Sequence, residues 1–168
     1  MAILQLLTNL FGSFPHWLAT ILISSLPVAE LRGSIPIAIV QYQMHPAEAY
    51  LLAVIGNMIP VIPLLLYLEP VSNYLRRFRL WDKFFNWLFT RTHHNHSATF
   101  EKYGTLGLAI FVAIPLPATG AWSGCAAAFV FGICFRHALV AITAGVLIAG
   151  LVVTVVTLGG LSLSNLFL

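Results

Sequence analysis

Residues 104–134 read GTLGLAIFVAIPLPATGAWSGCAAAFVFGIC, with no Asp, Glu, Lys or Arg and with Pro115, Pro117 and Gly120 in the middle. A transmembrane helix needs about 20 residues to cross about 30 Å of hydrocarbon. As one straight helix this stretch would reach roughly 46 Å, too long for a single span. Two spans and a turn would need more than about 40 residues, so it is too short for those. Proline removes a backbone donor and crowds the preceding turn, while glycine permits left-handed backbone. The stretch therefore predicts a re-entrant helical hairpin that enters to mid-membrane, breaks and returns to the same side. Such a break is tolerated where it is buried in protein or lines a watery cavity. A single tilted, kinked helix is the competing reading.

The rest of the chain follows the same plan. Residues 14–44 form a second long apolar block, broken by Pro27, Gly33 and Pro36 and charged only at Glu30 and Arg32. Residues 50–68 and 138–161 each fit one span. Broken block, short connection and single span thus occur twice in the same order. A shift of 87 to 89 positions brings Arg32-Gly33 near Thr119-Gly120, and Gly56 near Gly145. The expected fold is an all-α integral membrane protein forming one membrane domain over residues 1–168. Repeat one covers 14–69, an interfacial amphipathic linker 70–103, and repeat two 104–161. Each repeat is a re-entrant hairpin plus one transmembrane helix, and the two are inverted, a plan that recurs in secondary transporters.

Composition supports the membrane assignment. Hydrophobic residues make up 60% of the chain, charged residues 8%, and mean hydropathy is +0.93. A soluble domain carries about 25% charged residues, so lipid rather than water must cover this surface. Six of the eight Lys and Arg lie between Arg76 and Lys102, which places the linker on the cytoplasmic side. There Leu75, Phe78, Trp81, Phe85, Leu88 and Phe89 recur at helical spacing among Arg76, Arg77, Arg79 and Lys83. That pattern suits a helix lying at the interface against anionic membrane lipids. The basic charge has no soluble domain to present it to nucleic acid. His93, His94 and His96 lack a nearby carboxylate or cysteine to complete a metal site and read as a solvated loop. Cys125 and Cys134 read as small apolar side chains. The N-terminus lacks the basic region of a cleaved signal peptide. No metal, no cofactor and no enzymatic activity is expected, since no nucleophile–base or phosphate-cradling motif is present.

The candidate substrate- or ion-binding residues are Glu30, Arg32, Gly33, Asn57, Pro115, Pro117, Thr119, Gly120 and Trp122. Ionisable groups within membrane segments are functional candidates by default, because burying a charge there costs roughly 3 kcal/mol or more. Residues i and i+2 do not share a helix face. Glu30 and Arg32 are therefore expected to meet through a backbone break at Gly33. A carboxyl group in a low-dielectric cavity suits proton coupling, and the Arg32 guanidinium suits a phosphate or carboxylate. Pro115 and Pro117 strip donors from the second break and leave carbonyls free upstream. Thr119 adds a hydroxyl, and Trp122 either closes the cavity or packs. Asn57 is a polar side chain at membrane depth, suited to a ligand or an interhelical hydrogen bond. Transport would require Glu30, Arg32 and Thr119 to meet at a water-accessible cavity.

Glu30-Leu-Arg-Gly-Ser-Ile-Pro36, Gly56-Asn57 and Phe111-Val-Ala-Ile-Pro-Leu-Pro-Ala-Thr-Gly-Ala-Trp122 together resemble the small multidrug export protein family, over about Leu26 to Gly150. That family looks like a distant relative of the DedA, or VTT-domain, membrane proteins, bacterial inner-membrane transporters with facing re-entrant hairpins. The resemblance implies a small transporter of the bacterial inner membrane. Glu30, Arg32 and the free helix N-termini at the breaks favour a small or amphiphilic, anionic solute moving with protons, and a homodimer would cover the polar backbone of two half-crossing hairpins. Glu30 and Arg32 correspond to the acidic and basic first motif of the wider group. DedA proteins also carry arginines in the second hairpin, and Pro115 to Trp122 has none, which weighs against lipid-phosphate transport. A polyprenyl-phosphate flippase or scramblase is the alternative within transport, and a non-transporting structural or assembly protein the alternative outside it.

Overall fold

The computed structural model describes residues 14–75, 98–115 and 119–167. Their regular structure is entirely helical: α1 (His16–Ser25), α2 (Glu30–Pro36), a π-helical turn (Ile37–Gln41), α3 (Pro46–Met58), α4 (Val61–Leu75), α5 (Ala98–Ala113), α6 (Ala121–Val130) and α7 (Phe135–Phe167). They fold into two compact units. One comprises the residues up to Pro60 and those from Val146 onward, the other Val61–Gly145.

In the first unit the chain breaks at Leu26–Ala29, where Pro27 cannot donate to a continuing helix. The break expected at Gly33 does not occur: Gly33 and Pro36 both lie inside α2. Gly33 instead permits close approach, since a Cβ there would lie 2.9 Å from the Ala29 Cβ. Pro36 is accommodated in the last turn of α2, and the helix widens directly after it into the π-helical turn, a common way to absorb a missing donor. The chain then doubles back. His16, at the start of α1, stacks on Tyr42 beyond the π turn with ring centroids 4.6 Å apart. Thr20 Oγ1 also lies 3.6 Å from the Met44 sulfur. Proline at the first position of α3 and the His45 ring nitrogen accepting from the Ala47 N–H start the next helix.

α1 crosses α3 at close range. Ser24 Oγ donates to the Ala53 carbonyl at 2.6 Å. A Cβ on Gly56 would fall on the Ile21 backbone, 2.8 Å from its Cα. The C-terminal part of α7 joins this unit through Tyr50, whose hydroxyl donates to the Leu147 carbonyl at 3.2 Å and whose ring lies against Gly150.

The second unit uses related local geometry. α5 ends at Ala113 and α6 begins at Ala121, and Gly104 of α5 faces the Ile133 side chain beyond the end of α6. α6 ends in a glycine-terminated cap. Gly132, at φ 65°, donates to Phe129 and the Ile133 N–H reaches back to Ala128 at 2.9 Å. A Cβ on Gly145 of α7 would lie 2.8 Å from the Ala109 carbonyl oxygen of α5. The contact of Gly56 with Ile21 and that of Gly145 with Ala109 are related by shifts of 89 and 88 positions. The positive-φ residues follow suit: Glu30 and Gln43 bracket the returning helix of the first unit, Gly120 and Gly132 that of the second.

Among the described residues, two helical stretches are long and apolar enough to cross a bilayer, Pro46–Leu68 and Phe135–Ser162. Along α7, Ala138, Ala141, Ile142, Val146, Ala149 and Val153 are buried, while Val140, Ile148, Leu151, Val155 and Val156 are exposed. The exposed face is as apolar as the buried one, as expected where the outer solvent is lipid. The protein is therefore a helical membrane protein. α4 continues to Leu75 and α5 begins at Ala98, so helix occupies both ends of the 70–103 linker. The basic aromatic pattern and the histidine cluster fall largely on residues 76–97, outside the described residues.

Candidate functional site

Glu30 opens α2. Its backbone φ is +46°, a left-handed conformation that side chains rarely adopt. Its carboxylate is 6% exposed and faces the Arg32 guanidinium at 3.7 Å, with the arginine side chain 26% exposed. The predicted pairing exists, though by a different route from the one expected. The backbone does not turn at Gly33; the helix starts at Glu30 itself, and the left-handed first residue redirects its side chain toward i+2.

Three further side chains of this unit carry buried polar atoms without a hydrogen-bond partner among the described residues: Asn57, Ser34 and, at its hydroxyl, Tyr42. Asn57, on the buried face of α3 with Ala49, Ala53 and Gly56, is 1% exposed. Neither its amide nitrogen nor its amide oxygen has a hydrogen-bond partner among the described residues. Ser34, one turn after Glu30 on α2, is fully buried, and its hydroxyl likewise has no partner among the described residues. By contrast Thr20 and Ser24 are satisfied by the His16 and Ala53 carbonyls. Sequence reasoning singled out Asn57 and missed Ser34. The signal for Ser34 was its i+4 spacing from Glu30, which counts only if α2 starts at Glu30 and runs through Gly33.

In the second unit α5 ends just before Pro115 and α6 begins just after Gly120. Pro117 lies outside the described residues, and Thr119 Oγ1 donates to the Ile114 carbonyl at 2.7 Å. The threonine thus satisfies one of the carbonyls exposed where α5 ends. Gly120 at φ 151°, ψ −163° holds backbone essentially restricted to glycine and caps α6. Trp122 follows in the first turn of α6, half-buried.

Glu30, Arg32, Gly33 and Asn57 thus belong to the first unit, and Pro115, Thr119, Gly120 and Trp122 to the second. Among the described residues no group of three His, Cys, Asp or Glu is placed to hold a metal ion. The chemistry on offer in the first unit is a buried carboxylate beside a cation, with uncommitted hydrogen-bonding groups on the same bundle. No curated protein and no solved structure matches the chain. A profile of the family described as small multi-drug export proteins, a label that names an activity without specifying a substrate, matches residues 30–152. That match begins at Glu30, takes in Asn57 and the second break, and covers well over half of the sequence, so the chain belongs to the small multi-drug export protein family.

Proposed function

We propose that the protein is a proton-linked secondary transporter that exports a small or amphiphilic solute across the bacterial inner membrane. The observation that carries this is Glu30: a carboxylate almost wholly out of solvent, in a strained backbone conformation, beside a partly exposed arginine. Strain and buried charge are costly, and they concentrate where a site must work rather than merely pack. Glu30 is the proton carrier in this account. Arg32 receives an anionic group of the solute, and Thr119, Gly120 and Trp122 shape the second break.

The two broken blocks act as re-entrant hairpins in inverted halves, each reaching partway into the bilayer. The ten-residue helices α1 and α6 suit that role, since each spans roughly 15 Å, half the hydrocarbon thickness. The recurring glycine contacts and positive-φ positions support a repeat. Basic residues place the 70–103 linker in the cytoplasm, against anionic membrane lipids. No nucleic acid, cofactor or catalytic step enters this account, and a homodimer would help cover the broken backbone.

The test is export in vesicles. Purified protein reconstituted with an entrapped amphiphilic fluorescent dye should release it faster under an imposed pH gradient, and Glu30→Gln should abolish the dependence on the gradient. Dye release indifferent to both gradient and substitution would reject proton coupling. Reorientation of a labelled polyprenyl phosphate, with no dye movement, would replace solute export by lipid transport.

A further inference from the structure

Ser34 and Asn57 are unexplained by packing. Both are buried and both lie on helices of one bundle, α2 and α3, with α1 against them. The amide of Asn57 brings two donors and an acceptor, the hydroxyl of Ser34 one donor and an acceptor. Leaving an amide or hydroxyl unpaired in an apolar interior is costly, because it loses its hydrogen bonds to water and gains none in return. Native interiors avoid this cost, and a polar group without a protein partner is ordinarily met by ordered water. The nearby serine and threonine show the contrast. Ser24 and Thr20 each find a backbone carbonyl, whereas Ser34 sits four residues after the glycine-like left-handed start at Glu30, on the turn above the carboxylate.

The unpaired set is also specific in kind. A bare cation would satisfy only the oxygens, and an anion only the N–H and O–H groups. A small neutral species that both donates and accepts satisfies all of them. We infer that Ser34 and Asn57 line a water-connected pocket in the first unit, which water enters to reach the Glu30 carboxylate. The pocket explains why a charged side chain is held there, since a carboxylate that exchanges protons needs a hydrogen-bonded route to solvent. The inference rests on Glu30 as the proton carrier, yet the two fail separately: a hydrated Ser34 without gradient-driven export rejects the carrier role alone, and gradient-driven export with a dry Ser34 rejects the pocket alone.

The experiment compares two thiols. In a Cys125→Ala, Cys134→Ser background, Ser34→Cys and Ile35→Cys place a thiol at adjacent positions that are equally buried. In reconstituted vesicles, a small water-soluble methanethiosulfonate should modify Ser34→Cys at least about ten-fold faster than Ile35→Cys, because only hydrated thiolate reacts. Equal rates, in vesicles where the native Cys134 of the parent protein reacts, would overturn the inference. A second measurement needs no cysteine. Asn57→Leu, nearly isosteric, should lower the unfolding temperature if the amide holds water, because the hydrated partners lose a ligand. It should raise that temperature if the amide is a dry orphan, because removing an unsatisfied group is stabilising. A rise would also overturn the pocket.

Discussion

Glu30 joins three costs at one residue: burial, charge and a φ of +46°. A left-handed conformation at a non-glycine residue costs of order 1–3 kcal/mol. Gly120, which starts the returning helix in the second unit, meets its own unusual backbone with glycine. The contrast isolates what the carboxylate contributes. Glu30→Gly should relax the backbone, leaving unfolding temperature unchanged or higher, and yet abolish gradient-driven dye export. A loss of stability with export retained would make Glu30 a structural residue. Thr119 is a gentler case. Thr119→Val removes the hydroxyl bond to Ile114 and should cost about 1 kcal/mol in unfolding measurements. The ion pair was legible in sequence because two charges stood inside an apolar block. The strain was not, since nothing in the letters marks a glutamate as left-handed.

At the scale of helices, the close crossings carry the architecture. Gly56 lies on the backbone of α1 and Gly145 on that of α5. Small residues at such crossings let membrane helices approach where no hydrophobic drive exists between them. Gly56→Ala should therefore lower stability by about 1–3 kcal/mol or prevent folding, with Gly145→Ala behaving alike. Gly159→Ala meets nothing within 4 Å and should be neutral in the same thermal measurement. The end of α5 before Pro115 and the start of α6 after Gly120 were legible in the sequence, because proline and glycine punctuate the apolar block there. For the first block the sequence named Pro27, where the chain does break, together with Gly33 and Pro36, where it does not. Pro27, Gly33 and Pro36 were equal candidates as punctuation, and only tertiary packing distinguishes a break from a close contact or a π turn. Helix ends were also extended into the linker, since Asn73 to Leu75 and Ala98 to Tyr103 carry no stop signal strong enough to end a helix.

For the whole molecule, the proposed arrangement has two helical hairpins opening to opposite faces of the membrane. The sequence suggested this from block lengths, and the matching glycine contacts and left-handed positions support a repeat without giving its sidedness. The segments just beyond the returning helices carry convenient markers: Gln43 and Cys134 are both exposed. The most direct measurement is therefore labelling by a membrane-impermeant maleimide in vesicles of known orientation. Native Cys134 is compared with a Gln43→Cys, Cys134→Ser variant, both in a Cys125→Ala background. Inverted hairpins predict modification of the two positions from opposite sides of the membrane. Modification of both from the same side would contradict the inverted arrangement and, with it, the transport cycle built on two facing hairpins.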